Sequence, residues 1–206
     1  MVPRLLVSTF FVLFMLSGVT TAKATDDQEA RAFIQDLAQN AITTVGAKDL
    51  SDGDRKERFR RLFVSAFDLP EIGKFVLSRY WQGATAAQQA EFLKTFEDLQ
   101  VLAWSQKFKS YNGEKLETVG AKMMGEGVWL VDSQIIRPQG PPNPVQWRVQ
   151  RAADGGMHVI DIATKGISMG LTYRQDYTAI LQSNGQNFDA LLSSMHARVE
   201  QAGNTP

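Results

Sequence analysis

The 206-residue chain is long enough for one sizeable core, carries 22 basic and 22 acidic side chains, and contains no cysteine. Balanced charge removes the electrostatic ground for a nucleic-acid partner. The missing thiols exclude disulfides, thiolate metal sites and a lipid-modified amino-terminal cysteine.

At the amino terminus Arg4 precedes an almost wholly apolar run from Leu5 to Leu16, and Ala22-Lys23-Ala24 supplies small residues for cleavage. This is the pattern of a signal peptide over 1–24, with the mature chain beginning near Thr25. The apolar run falls short of the roughly 20 residues a membrane-spanning helix needs; a retained anchor is the alternative. Without Arg4 and Lys23, 20 basic residues face 22 acidic ones, a net charge of −2. Residues 25–202 are expected to form a single domain held by apolar burial, and 203–206 a disordered tail.

Ala30, Phe33, Ile34, Leu37, Ala41 and Val45 recur at the spacing of one helical face. A second helix carries Phe59, Leu62, Phe63, Ala66 and Phe67 on one side, and Arg55, Lys56, Arg58, Arg60 and Arg61 on the other. That basic face could meet an acidic partner or lipid headgroups, or simply be solvated. Asp68-Leu69-Pro70-Glu71 reads as a helix start, leading into Ile72, Phe75, Val76 and Leu77. Thr85 and Gln88 repeat the capping signature for the longest helix, Ala86 to Tyr111, which stops at Asn112-Gly113. This helix has two apolar stripes: Phe92, Phe96, Leu99, Leu102 and Ala103 form one, and Leu93, Val101, Trp104 and Phe108 the other. One stripe suffices for packing on a single layer. The second meets either another helix or a cavity.

Beyond Gly113 the period becomes alternating. Leu116–Met124, Val128–Arg137, Val145–Arg151 and Met157–Ala163 read as strands, joined by turns at Gly125-Glu126-Gly127 and Asp154-Gly155-Gly156 and by the Pro138–Pro144 link. Helices before and after such an antiparallel meander can cover its one apolar face. A helix beginning near Tyr173 and a last one bearing Phe188, Leu191, Leu192, Met195 and Val199 close the chain.

Gly166-Ile167-Ser168-Met169-Gly170 spells G-x-S-x-G, which in hydrolases exposes a nucleophilic serine on a strand-to-helix turn; Asp189 and His196 follow in the required order. The surrounding pattern opposes that reading, because helices followed by a meander are not a parallel sheet with crossovers, and no glycine-rich oxyanion segment precedes the serine. Asp161, on a strand near Tyr173, could act as a base if apolar walls raised its pKa, or accept structural hydrogen bonds. His158 and His196 have no ligand-spaced neighbours, and no phosphate-cradling glycine loop is present. No metal or cofactor is expected.

Four segments carry a likeness to a known family: Phe67-Asp68-Leu69-Pro70-Glu71-Ile72; Arg79-Tyr80-Trp81 with Thr85 to Phe96; the meander ending in Val159-Ile160-Asp161-Ile162; and Gly166-Ile167-Ser168-Met169 with Tyr173-Arg174. In order and spacing the chain resembles the MlaC family of periplasmic phospholipid-binding proteins, also called the toluene-tolerance family. The resemblance implies an α+β fold like that of nuclear transport factor 2, with helices on a curved antiparallel sheet enclosing an apolar pocket. It implies a periplasmic carrier with no catalytic step, moving phospholipid between an outer-membrane lipoprotein complex and an inner-membrane ABC transporter complex. Lys165 stands where an acidic residue is usual and Met157 where an aromatic is common, which leaves a branch carrying hopanoid-type lipid open. A pocket enzyme using Ser168 or Asp161 is the alternative. The pocket wall read from the pattern comprises Phe75, Val76, Phe92, Phe96, Leu99 and Trp104 from the helices, Val128, Leu130, Trp147, Val149, Ile160 and Ile162 from the strands, and Met169, Leu171 and Tyr173 beyond them.

Overall fold

The computed structural model describes residues 25–203; the signal peptide expected over 1–24 and all but the first residue of the expected tail lie outside them. Helices α1 (Asp26–Val45), α2 (Asp52–Ala66), α3 (Leu69–Leu77), α4 (Arg79–Gly83) and α5 (Ala86–Lys109) precede strands β1 (Lys115–Gly125), β2 (Val128–Ile136), β3 (Asn143–Arg151), β4 (Met157–Thr164) and β5 (Ile167–Ser168). Helices α6 (Met169–Ser183) and α7 (Phe188–Gly203) follow. The strands form one antiparallel sheet in sequence order.

Local chemistry sets most boundaries. Thr25 and Thr85 close reciprocal capping boxes with Gln28 and Gln88 at the starts of α1 and α5, satisfying amides that have no partner inside the helix. Asp68 accepts from the Glu71 amide at 2.9 Å and Pro70 occupies the first turn of α3. Between β4 and β5, Lys165 and Gly166 both take left-handed backbone angles (φ 52° and 78°), the combination a tight two-residue hairpin requires.

Two apolar cores result. In the first, α2, α3, α5, α6 and α7 enclose Phe63, Val76, Phe92, Tyr177, Leu181 and Leu191. In the second, Ala30 and Ile34 of α1 pack on Trp129, Val131, Val149 and Val159 of the sheet. Arg151 fastens the start of α1 to the sheet, reaching Glu29 at 2.7 Å and Asp26 at 3.2 Å. Near the free edge of β1, α1 also holds strand backbone groups: Arg31 donates to the Thr118 carbonyl and Gln35 to that of Leu116.

The basic side of α2 is divided in its roles. Arg55 is 4% exposed and donates to the carbonyls of Val45, Ala47 and Leu50, so it organises the α1–α2 connection from within. Arg60 pairs with Glu97 and Asp98 of α5. Neither is a solvated face residue.

Candidate functional site

A cavity of about 210 Å³ lies where the two cores meet. Helix α1 contributes Leu37, Ala38, Ala41 and Ile42; α2 contributes Phe59, Leu62 and Phe63; α5 contributes Trp104 and Phe108. The sheet adds Leu116, Ile135, Val145, Trp147 and Ile162, and Phe67 and Tyr111 complete the apolar wall. These strand residues share a face because the register pairs Leu116 with Ile135 and Trp147 with Ile162. The polar lining groups Glu114, Lys115 and Thr164 gather where β1 and β3 begin and β4 ends.

The aromatic walls offer carbon to this space. Trp147 donates its indole N–H to Ser133 Oγ at 2.8 Å, and Ser133 in turn donates to the Val145 carbonyl at 2.9 Å. The indole's polar atom is therefore satisfied within the sheet. A second space of about 40 Å³ shares Phe63, Phe67, Trp104 and Ile162 with the first and continues to Phe96, Gln100, Ile160, Asp161, Met169 and Tyr173. Burial raises the Tyr173 phenol above its ordinary range, keeping it protonated while it donates to Gln100 Oε1 at 3.1 Å.

Of the wall residues expected from the sequence, the structure brings Trp104, Trp147 and Ile162 to the larger space and Phe96, Ile160, Met169 and Tyr173 to the smaller. The others line neither. Val76 and Phe92 are wholly buried between helices, Leu99 packs on the same cluster, and Phe75 lies under the Arg174 guanidinium, 3.9 Å from its ring centroid. Val149 is wholly buried beneath α1. Val128 and Leu130 alternate with the buried Trp129 and Val131, so they occupy the other face of the sheet. Leu171 is 47% exposed on the first turn of α6.

The cavity walls from α1, α2, β1 and the end of β2 were not among the expected residues. One sequence signal does point to them: Ala38 and Ile42 widen the apolar stripe of α1 beyond what contact with one sheet requires.

The G-x-S-x-G serine serves the backbone. Ser168 is the N-cap of α6, accepting from the Leu171 amide at 3.0 Å while donating to Asp161 Oδ2 at 2.6 Å. Asp161 Oδ1 also accepts from the amides of Ile162 and Gly170, at 2.9 and 3.0 Å. His196 sits instead on α7 against α5, within 3.0 Å of Thr95 Oγ1 and 3.3 Å of Glu91, and Asp189 accepts from Gln88. The three residues of the hydrolase reading thus have separate structural partners.

An antiparallel meander roofed by helices over a carbon-lined space, with its one elbow-like serine committed to a helix cap, defines an α+β ligand-binding protein and not a hydrolase. Residues 35–197 match the MlaC protein family, and the chain belongs to that family. It is 27% identical over 203 residues to the intermembrane phospholipid transport system binding protein MlaC of Haemophilus influenzae, covering 94% of this chain and 92% of that one. Its fold matches a phospholipid-binding protein from Ralstonia solanacearum, solved in complex with a phospholipid, with a TM-score of 0.75 at 19% identity, over 85% of this chain and 99% of the other. Both descriptions speak of phospholipid and neither supports a hopanoid branch, so Lys165 and Met157 carry no such assignment.

Proposed function

We propose that this protein is a phospholipid carrier, exported by cleavage of residues 1–24, whose mature domain of about residues 25–202 moves lipid through the periplasm. It exchanges that lipid with an outer-membrane lipoprotein complex and an inner-membrane ABC transporter complex. Membership of the MlaC family supports the role, and the relatives' descriptions supply the cargo. Among the described residues no helix is long and apolar enough to cross a membrane.

The observation that carries the reading is the cavity wall, whose side chains offer carbon from helices and sheet alike. A methylene fills about the volume of a water molecule, roughly 30 Å³, so the 210 Å³ space accepts about seven carbons of an acyl chain. Each buried methylene contributes about 0.8 kcal/mol, so this segment alone contributes on the order of 6 kcal/mol. No covalent step is needed to hold or release such a cargo.

The test is organic extraction of protein purified from its native host, followed by mass spectrometry. The expected result is co-purifying phospholipid, with the delipidated protein melting at a lower temperature. Lipid-free protein of unchanged stability would overturn the reading.

A further inference from the structure

The outer side of the α1–α2 pair holds an arrangement that the apolar cavity does not use. A groove of about 610 Å³ runs along it, lined by Asn40, Thr44, Arg58, Arg61, Leu62 and Ser65. Spacing of three residues puts Arg58 and Arg61 on one side of α2, and spacing of four puts Asn40 and Thr44 on the opposing side of α1. Two guanidiniums, an amide and two hydroxyls therefore converge, and no carboxylate belongs to the lining.

The hydroxyls of Thr44 and Ser65 donate to the Asn40 and Leu62 carbonyls of their own helices, whereas the two guanidiniums are not held in strong pairs. Arg58 reaches only the Thr44 carbonyl, at 3.4 Å, and has no carboxylate partner among the described residues. Arg61 pairs with Glu57 of its own helix at 2.8 Å, but both side chains are more than half exposed, at 64% and 57%, and such pairs contribute little. The contrast with Arg55 and Arg60, which are tied to backbone carbonyls and to α5, separates two structural arginines from two available ones.

Leu62 lines both the groove and the apolar cavity. One side chain thus stands between cationic donors and a carbon-lined interior. That juxtaposition matches an amphiphile with an anionic head, and arginine forks suit phosphate oxygens, which they can grip in pairs. We propose that the groove binds the phosphate of the lipid headgroup while the acyl chains pass Leu62 into the cavity. This rests on the lipid-carrier reading and adds a site for the headgroup.

The experiment compares phosphatidylglycerol with diacylglycerol of the same chains, binding to wild-type protein, to R58Q/R61Q and to Thr44→Glu, which sets a carboxylate opposite Arg58. All three positions are exposed, so the folded state should survive, as circular dichroism can verify. Wild type should prefer phosphatidylglycerol on the order of ten-fold, as expected for about 1.4 kcal/mol. Both variants should lose that preference while binding diacylglycerol as wild type does.

Wild type that binds both lipids alike, or variants that keep the preference, would overturn the headgroup site and leave the acyl cavity standing. If wild type binds neither lipid, the carrier reading itself fails. Inorganic phosphate probes the other source of the same chemistry. Phosphate binding abolished by R58Q/R61Q, without any preference between the two lipids, would overturn the headgroup role in favour of a soluble anion.

Discussion

Asp161, Ser168 and Gly170 form a knot that explains why a hydrolase-like spacing arises here without hydrolase chemistry. A Cβ on Gly170 would lie 2.9 Å from the Phe75 ring and 3.2 Å from Asp161 Oδ1, so glycine is needed for α6 to start this close to α3. The carboxylate then collects two backbone amides and the serine hydroxyl. Ser168→Ala removes the cap and should cost about 1 kcal/mol, which lowers the melting temperature by roughly 2–4 °C. Asp161→Asn exchanges a charged acceptor for an amide that cannot accept on both sides, and should cost about 1.5–3 kcal/mol. Lipid bound per protein at 25 °C should be unchanged in Ser168→Ala; loss of cargo or of cellular function with full stability would restore a chemical role for the hydroxyl. The sequence made Asp161 legible as a strand-end acceptor, since a lone carboxylate between Ile160 and Ile162 needs partners. It did not reveal Arg55, whose burial depends on where the chain turns between α1 and α2.

At the scale of elements, α5 shows how two apolar stripes are used. Its first half is enclosed by helices: Phe92 meets Tyr177 edge-on with ring centroids 5.6 Å apart, and Phe96 meets Tyr173 at 5.3 Å. Its second half turns Trp104 and Phe108 to the cavity. Periodicity revealed the surplus of apolar surface but not which half faced which neighbour, because both α6 and the sheet return from far along the chain. The start of α6 was obscured for a similar reason. The spacing placed it near Tyr173, whereas it begins at Met169, because two-residue β5 gains its order from pairing Ser168 with Ala163 and Ile167 with Thr164. Two residues carry no period. Docking of α6 on α5 also has a pH signature. Burial, with Tyr173 adding to it, pushes the Tyr177 phenol well above its ordinary value, which is about 10 in an unfolded chain. The stability this contributes is fully present below about pH 10 and is lost as pH rises toward the folded-state value, since only the unfolded chain ionises readily there. Tyr177→Phe cannot ionise. Its unfolding free energy from urea titration should match wild type within about 1 kcal/mol at pH 7 and exceed it increasingly above pH 10; parallel decline of the two proteins would refute burial as the cause.

For the whole molecule, the meander, the helices around it and the family likeness were legible because glycine turns separate the strands, β3 alternates cleanly, and the caps of α3 and α5 mark where helices begin. The cavity was only partly legible. Strand β2 reads Val128-Trp129-Leu130-Val131, apolar on both faces, and only its register with β3, which sets Val131 opposite Trp147, decides which residues face inward. The walls also come from α1, α2, α5 and the sheet together, so no single segment's pattern contains them. The assembled space has a consequence for loading. A site for a drug-sized ligand usually encloses about 300–1,000 Å³, more than the 210 Å³ present. A diacyl lipid held wholly inside therefore needs more room than this conformation gives at the boundary between the helical layer and the sheet. Ala41 lies on the helical side of that boundary, 9% exposed and in the cavity wall. In a filled interior, Ala41→Trp would cost about 1–3 kcal/mol through overpacking. In an empty space the indole instead gains apolar burial. The expected outcome is a delipidated variant that melts no lower than delipidated wild type and retains at most half the phospholipid per chain when both are purified from the same host and measured by native mass spectrometry. Unchanged loading would show that acyl chains enter elsewhere, because an indole and a lipid chain cannot share so small a volume.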